Sequence, residues 1–203
     1  MKVNKTIYIY GASGHGLVVA DIAKACGYSD TIFIDDAPNK FPTFEEIKNN
    51  NHTPIALGIG DNYTRKKLFE KVMKYHFEVV SLIYPNAIIA SNVSLGKGSV
   101  IMPHVVVNSY SKIGCGVILN SSSVIEHENS IGDFAHISPN ASLAGNVTIG
   151  DMTHIGIGST IIQGITIGKN SMIGAGSVVV RDIADDLLCY GNPSKVIRKL
   201  NEK

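Results

Sequence analysis

From Ile83 to Val179 every sixth residue is isoleucine, leucine or valine, at 17 successive positions without an insertion. A helix has no use for such a stripe, because at about 3.6 residues per turn it drifts around the cylinder and buries no constant face. A flat strand would need period two. Short strands that turn a corner every six residues do account for it: three sides make a coil, the aliphatic side chains point inward, and stacked coils build a triangular prism, a parallel β-helix. The fifteen hexads from Ala90 to Val179 make five coils of three. The fourth residue after the aliphatic is small or valine almost throughout, as at Ser99, Val105, Ser111, Ser123, Ala135, Ser159 and Ser171, with Asn129 and Ile165 as exceptions. Glycine often follows the aliphatic directly, as at Gly96, Gly114, Gly132, Gly150, Gly156, Gly168 and Gly174, where a corner needs little bulk.

The chain before this repeat is built differently. "KTIYIYG" reads as a short β-branched and aromatic strand ending in glycine, and "GLVVADIAKACG" carries apolar residues at helical spacing up to a glycine stop. "TIFIDD" is a second strand, "TPIALGIGDN" a third, and "NYTRKKLFEKVMKYH" an amphipathic helix behind it. Strand, glycine-rich turn, helix and strand within about 30 residues is the size of a βαβ unit. Residues 1–80 therefore read as a small Rossmann-like α/β domain with a parallel sheet, and the β-helix domain follows from residue 81.

Charge and cysteine content exclude several classes. With a formal net charge of +1 over 203 residues, no basic field recommends nucleic acid or an anionic membrane. Cys26, Cys115 and Cys189 are odd in number and scattered, matching neither a disulfide framework nor a metal-ligand spacing. No stretch reaches membrane-spanning length, and "MKVNKTIYIYG" meets a glycine before a signal-length apolar segment forms. The expectation is a cytoplasmic protein with no stable membrane insertion.

Three groups of residues carry possible chemistry. In "GASGHG", Gly11, Gly14 and Gly16 lie between a strand and a helix start, so the turn reads either as a phosphate cradle at a positive helix end or as a tight strand-to-helix connection. The spacing is not the dinucleotide G-x-G-x-x-G, which argues against NAD. Asp35 and Asp36 end the next strand, where carboxylates accept hydrogen bonds from a ribose or a base N–H, or simply meet solvent. In "EHEN", His127 falls two residues past the inward Ile125, at a corner of the prism and near its surface. Imidazole titrates close to neutral pH and suits a base that takes a proton from an attacking amine; a neighbouring carboxylate would hold its tautomer. In an extended segment neighbouring side chains point to opposite faces, so that pairing requires the corner. His136 and His154 fall 18 residues apart, one coil above the other, as a ladder; a zinc site would need a third ligand, and none is expected. Asn120, in "LNSS", reads either as a group that positions reactants or as a rung of an asparagine ladder.

The hexads resemble those of the hexapeptide-repeat acyltransferases, whose prism is a left-handed β-helix. "YGNPSKVIRKL" is similar to that family's closing segment and implies a C-terminal capping helix over residues 191–203, after a β-helix domain of residues 81–190. Read together, "IYIYGASGHGLVVADIAK", "FIDD", "RKKL", "GVILNSSSVIEHE" and "AGNVTIG" resemble, in that order, the bacterial UDP-4-amino-sugar N-acetyltransferases that make bacillosamine-type sugars for glycan assembly. The resemblance implies that Gly11, Ala12, Ser13, Gly14, His15, Asp35, Asp36 and Gly60 hold the UDP-sugar, with Asn120 at the reacting groups. It implies His127 as the catalytic base and Glu128 as its carboxylate partner. It further implies acetyl-CoA as co-substrate, contacted by His136, Gly145, Ile157 and Gly174, although plain coil architecture also accounts for the last three. A homotrimer with active sites between prisms is the implied assembly.

These readings converge on direct acetyl transfer from acetyl-CoA to the 4-amino group of a UDP-linked amino-deoxysugar. A sialic-acid-type sugar O-acetyltransferase is the alternative, using the same base on a hydroxyl. A non-enzymatic scaffold or sugar-nucleotide sensor is the third reading, and it gives no reason for an imidazole between two glutamates.

Overall fold

The computed structural model describes residues 5–200. Strand β1 (Thr6–Tyr10), helix α1 (His15–Ala25), strand β2 (Asp30–Ile34), the one-turn helix α2 (Phe44–Ile47), strand β3 (Ile55–Leu57) and helix α3 (Asn62–Lys74) form the first unit. Its sheet has the order β2-β1-β3, with both pairings parallel, as the alternation of strand and helix signals requires. Val79 adds a parallel bridge to Ile55, and the first rung of the prism begins three residues later at Leu82.

Two-residue rungs then follow at intervals of six, from β4 (Leu82–Ile83) to β20 (Val178–Val179), in about six turns of a parallel β-helix. Rungs 18 residues apart pair in register, as Val100, Ile118, His136 and His154 do on one face. The second residue of each rung points inward: Ile101, Leu119, Ile125, Ile137, Ile155, Ile161 and Ile167 are fully buried. This core needs no other layer, because each coil buries its aliphatics against the coils above and below.

Each face shows solvent or a neighbour the first residue of its rungs. The docked face carries Leu82, Val100, Ile118, His136, His154 and Met172, and the α/β unit packs against it. The aliphatic face carries Ile88, Val106, Val124, Ser142, Thr160 and Val178; the polar face carries Ser94, Lys112, Ser130, Thr148 and Thr166. Every sixth residue from Gly98 to Gly176 has a left-handed backbone, with φ between 52° and 72°. Asparagine and glycine take many of these sites, for which they have the lowest steric cost. Glu128 is one of them, at φ 60°.

The chain end corrects one expectation. The C-terminal helix expected over residues 191–203 is a β-hairpin: strand β21 (Leu187–Gly191) pairs antiparallel with strand β22 (Ser194–Lys199), and residues 201–203 lie outside those described. The last rung of the docked face leaves backbone groups open on its upper edge, and β21 satisfies them in parallel, with the Gly174 N–H donating to Cys189 O at 2.8 Å. β21 in turn offers a free edge, which β22 pairs; a helix over residues 191–203 would satisfy only its own backbone and leave that edge bare. The β-branched pair Val196–Ile197 is compatible with the strand that closes it.

Candidate active site

His127 stands at the corner between the aliphatic and polar faces. Its side chain is 59% exposed, and Nδ1 lies 3.0 Å from Glu128 Oε2. Adjacent side chains meet because Glu128 takes the left-handed conformation, which turns its carboxylate back towards the preceding ring. The imidazole lies over Gly145, one coil up: a Cβ at residue 145 would sit 2.5 Å from Cε1 and 2.6 Å from Nε2 of His127. Gly145 thus leaves room for the ring. Beside it, Glu126 is held away from the ring, its Oε2 accepting from Asn108 Nδ2 at 2.9 Å.

A second cluster lies where the α/β unit meets the docked face. His136 is buried and stacks on His154, with centroids 4.6 Å apart and planes at 18°; His15, the first residue of α1, lies 6.4 Å from His136. Asn120 Nδ2 faces His136 Nε2 at 3.1 Å, and Ser138 Oγ faces His154 Nε2 at 2.8 Å, so each ring has its own protein partner. Burial, reinforced by His154, Arg65 and His15, pushes His136 down to about 3. Burial and Arg65 push His15 down to about 4 and lower His154 as well. These rings are neutral at physiological pH. No group of three metal-ligating side chains converges among the described residues.

Asn62 and Arg65, the latter quoted above only as part of "RKKL" and given no role, clasp the two units together. Arg65 is 1% exposed and donates from Nε to Gly116 O at 2.7 Å, from Nη1 to Gly60 O at 2.9 Å, and from Nη2 to Asn62 Oδ1 and Phe134 O, each at 2.8 Å. Burial lowers it to about 10, so the guanidinium stays charged, and the ring of carbonyls replaces the water it has lost. Asn62 Nδ2 donates to Met152 O at 2.9 Å. Helical spacing puts 62 and 65 on one face of α3, but a polar pair on that face gave no sign of pointing inward.

The glycine loop is largely explained by close packing. Gly11, at φ 111°, and Gly16 press against each other and against Gly58, and a Cβ at Gly58 would meet Gly16 Cα at 2.6 Å. Asp35 closes the loop, accepting from Ala12 N at 3.0 Å and from Ala37 N at 2.9 Å. Asp36 is tied inside the domain by Tyr10 Oη at 2.5 Å, Lys71 Nζ at 2.8 Å and Phe44 N at 2.9 Å. Burial and this carboxylate raise the Tyr10 phenol far above its usual range. Ser13 and Gly14 at the loop tip are exposed, and Gly60 lies beside His15. A cleft of about 670 Å³ opens along the junction between Gly60, Tyr63, His136 and His154.

The structure therefore groups the expected residues on three sites of one chain. Gly11–His15, Gly60 and Asp35 gather at the junction, with Asn120 reaching it through His136. Ile157, 52% exposed, and Gly174 lie on the corner between the docked and aliphatic faces, in line with Asn120. His127, Glu128 and Gly145 occupy the corner opposite the docked face.

Known proteins share both halves of this plan. The family described as PglD N-terminal domain matches residues 6–72, and the bacterial transferase hexapeptide family (six repeats) matches residues 146–181. PerB from Caulobacter crescentus, solved with CoA and GDP-perosamine, is 32% identical over 97% of this chain and 99% of its own, with a TM-score of 0.92. The acetyltransferase domain of PglB from Neisseria gonorrhoeae is 35% identical over 96% of this chain and 100% of its own, with a TM-score of 0.90. The chain belongs to the hexapeptide-repeat sugar N-acetyltransferases. The UDP-N-acetylbacillosamine N-acetyltransferase of Bacillus subtilis is 33% identical over 111 residues; that match spans 47% of this chain and only half, 50%, of the curated enzyme. Among the histidines described above, His127 is the exposed one with a carboxylate beside it, whereas His15, His136 and His154 are partly or wholly buried at the junction.

Proposed function

We propose that the protein transfers the acetyl group of acetyl-CoA to the 4-amino group of a UDP-linked amino-deoxysugar of the bacillosamine type, a precursor for glycan assembly such as protein glycosylation. The observation that carries the reading is the His127–Glu128 pair seated on Gly145. The amine nitrogen attacks the thioester carbonyl while His127 Nε2 takes one of its protons. Collapse of the tetrahedral intermediate expels the CoA thiolate, which receives that proton from the imidazolium. Glu128 keeps Nδ1 protonated and balances the transient positive charge. No covalent acyl-enzyme is needed.

The nucleotide is assigned to the loop Gly11–His15, Asp35 and Gly60, with Asp36 acting through the strand end that it braces. Acetyl-CoA is assigned to the corner bearing Ile157 and Gly174 and to His136. Because His127 lies opposite the docked face, its own nucleotide loop is out of its reach, and the corner of a neighbouring prism completes the site. A homotrimer satisfies this requirement for every copy. Acetyl-CoA is available in the cytoplasm, where we place the enzyme. No helix among the described residues is long and apolar enough to cross a membrane.

The test is thiol release from acetyl-CoA with a panel of UDP-4-amino-sugars, GDP-perosamine and sialic acids. Release with a UDP-linked amine supports the reading; release only with GDP-perosamine would change the nucleotide, and release only with a hydroxyl acceptor would overturn it. Mixing two inactive proteins, His127→Ala and Gly14→Val, and allowing subunits to exchange should restore partial turnover if sites are shared between chains. No recovery in confirmed hetero-oligomers would refute the shared site.

A further inference from the structure

We infer that Asn129 is a positioning residue for the catalytic base, a role resting on the assignment of His127 above. Position four of the hexad forms inward columns of small side chains, and Ser99 and Thr153 share one bonding pattern. Ser99 Oγ donates to Gly114 O, fifteen residues on, at 2.9 Å, and accepts from Val117 N, eighteen residues on, at 3.0 Å. Thr153 repeats this with Gly168 O at 2.6 Å and Ser171 N at 3.0 Å. A hydroxyl has one proton, so it can hold one carbonyl at a time.

Asn129 is 1% exposed and keeps both of these bonds: Nδ2 donates to Ala144 O at 3.0 Å, and Oδ1 accepts from Val147 N at 2.9 Å. Its amide has a second proton, and Nδ2 also donates to Glu126 O. Ser177 makes the same backward bond, to Gly174 O at 2.6 Å, but its one proton leaves no forward bond; Asn129 makes both, and its backward bond has a specific address. Glu126 and Ala144 immediately precede His127 and Gly145, the residues whose contact seats the ring. One side chain therefore ties the carbonyls behind the imidazole and behind its platform. Ser111 Oγ, from the coil below, donates to the same Glu126 carbonyl at 2.9 Å, so two donors clamp the peptide plane that leads into His127. Above Asn129 the column turns apolar at Val147 and Ile165, so this polar support stops at the catalytic coil.

Orientation is the property at risk, because a displacement of about 1 Å in a reacting group costs on the order of 100-fold in rate. The test is Asn129→Ser, whose single hydroxyl proton can hold one of the two carbonyls, Glu126 O or Ala144 O, and not both. We expect kcat to fall about 10–100-fold, with KM for acetyl-CoA and acceptor unchanged and melting close to that of the parent. In a crystal of the variant, the His127 ring should leave Gly145 and lengthen its Nδ1–Glu128 contact. Ser99→Ala, which removes an equivalent rung at another corner, should lose stability while keeping kcat.

A kcat within twofold of the parent, a loss confined to KM, or an unmoved ring overturns the role. Should Asn129→Ser fail to fold, Ser111→Ala removes the other donor to Glu126 O, and an unchanged kcat there overturns it equally. If His127→Ala retained parental turnover, the base assignment itself would be wrong. If that variant lost turnover while Asn129→Ser did not, only the positioning role would fail.

Discussion

The corner carrying His127 and the junction carrying His15, His136 and His154 use the same side chain on the same scaffold for opposite ends. At the corner the ring is 59% exposed and faces a carboxylate at 3.0 Å. At the junction two rings stack 4.6 Å apart beside a buried guanidinium that donates to five carbonyl or amide oxygens within 3.2 Å. Burial and a positive neighbour keep the junction imidazoles neutral, while the corner ring has solvent and a carboxylate beside it. Exposure and the nearest charge, rather than residue identity, distinguish the two settings.

That contrast predicts a double dissociation. His127→Ala should cut turnover by about 10²–10⁴ while leaving the unfolding transition and acetyl-CoA binding by calorimetry largely unchanged; equal turnover would remove the corner from the mechanism. Arg65→Met should do the reverse. It strands the carbonyls of Gly116, Gly60 and Phe134 at the junction and should cost about 3–5 kcal/mol in urea unfolding. Arg65→Lys should recover little, because an ammonium cannot serve that fork of acceptors. An Arg65→Met protein as stable as the parent would mean that the clasp is ornamental.

A smaller effect sharpens the role of Gly145. Gly145→Ala places a methyl 2.5 Å from His127 Cε1 and must push the ring aside. If the glycine serves the base, kcat should drop about 10–100-fold at constant KM for acetyl-CoA. If it serves the cofactor, KM should rise instead.

The contrast also bears on stability against pH. The folded values of His136 and His15, about 3 and about 4, lie below the ordinary value of 6.5, so the unfolded chain binds more protons between those limits. The stabilisation is fully present above about pH 6.5 and is lost as pH falls towards the folded values, at up to about 1.4 kcal/mol per unit for each ring. Urea midpoints measured from pH 7 to pH 5 should therefore decline, and His136→Gln should flatten that slope. An identical slope in the variant would show that the buried ring is not what titrates.

The repeat made the prism legible in advance, because each hexad states locally where an aliphatic points in and where the chain turns; the three parallel strands of the α/β unit were equally plain from alternation and glycine punctuation. The His127–Glu128 contact was also readable, since both residues and the corner that brings them together lie within four consecutive residues. Only the tertiary structure decided that Gly145 lies under that ring, that Asn129 bonds the carbonyls of Glu126 and Ala144, that Arg65 is buried, and that His127 lies opposite the face on which the glycine-rich loop docks. Those facts depend on which residues stack 18 apart and on which face the first unit covers. The end of the chain is a parallel case: Ser194–Lys199 is a strand because a bare sheet edge lies within reach, and a neighbour of that kind is invisible to any local pattern.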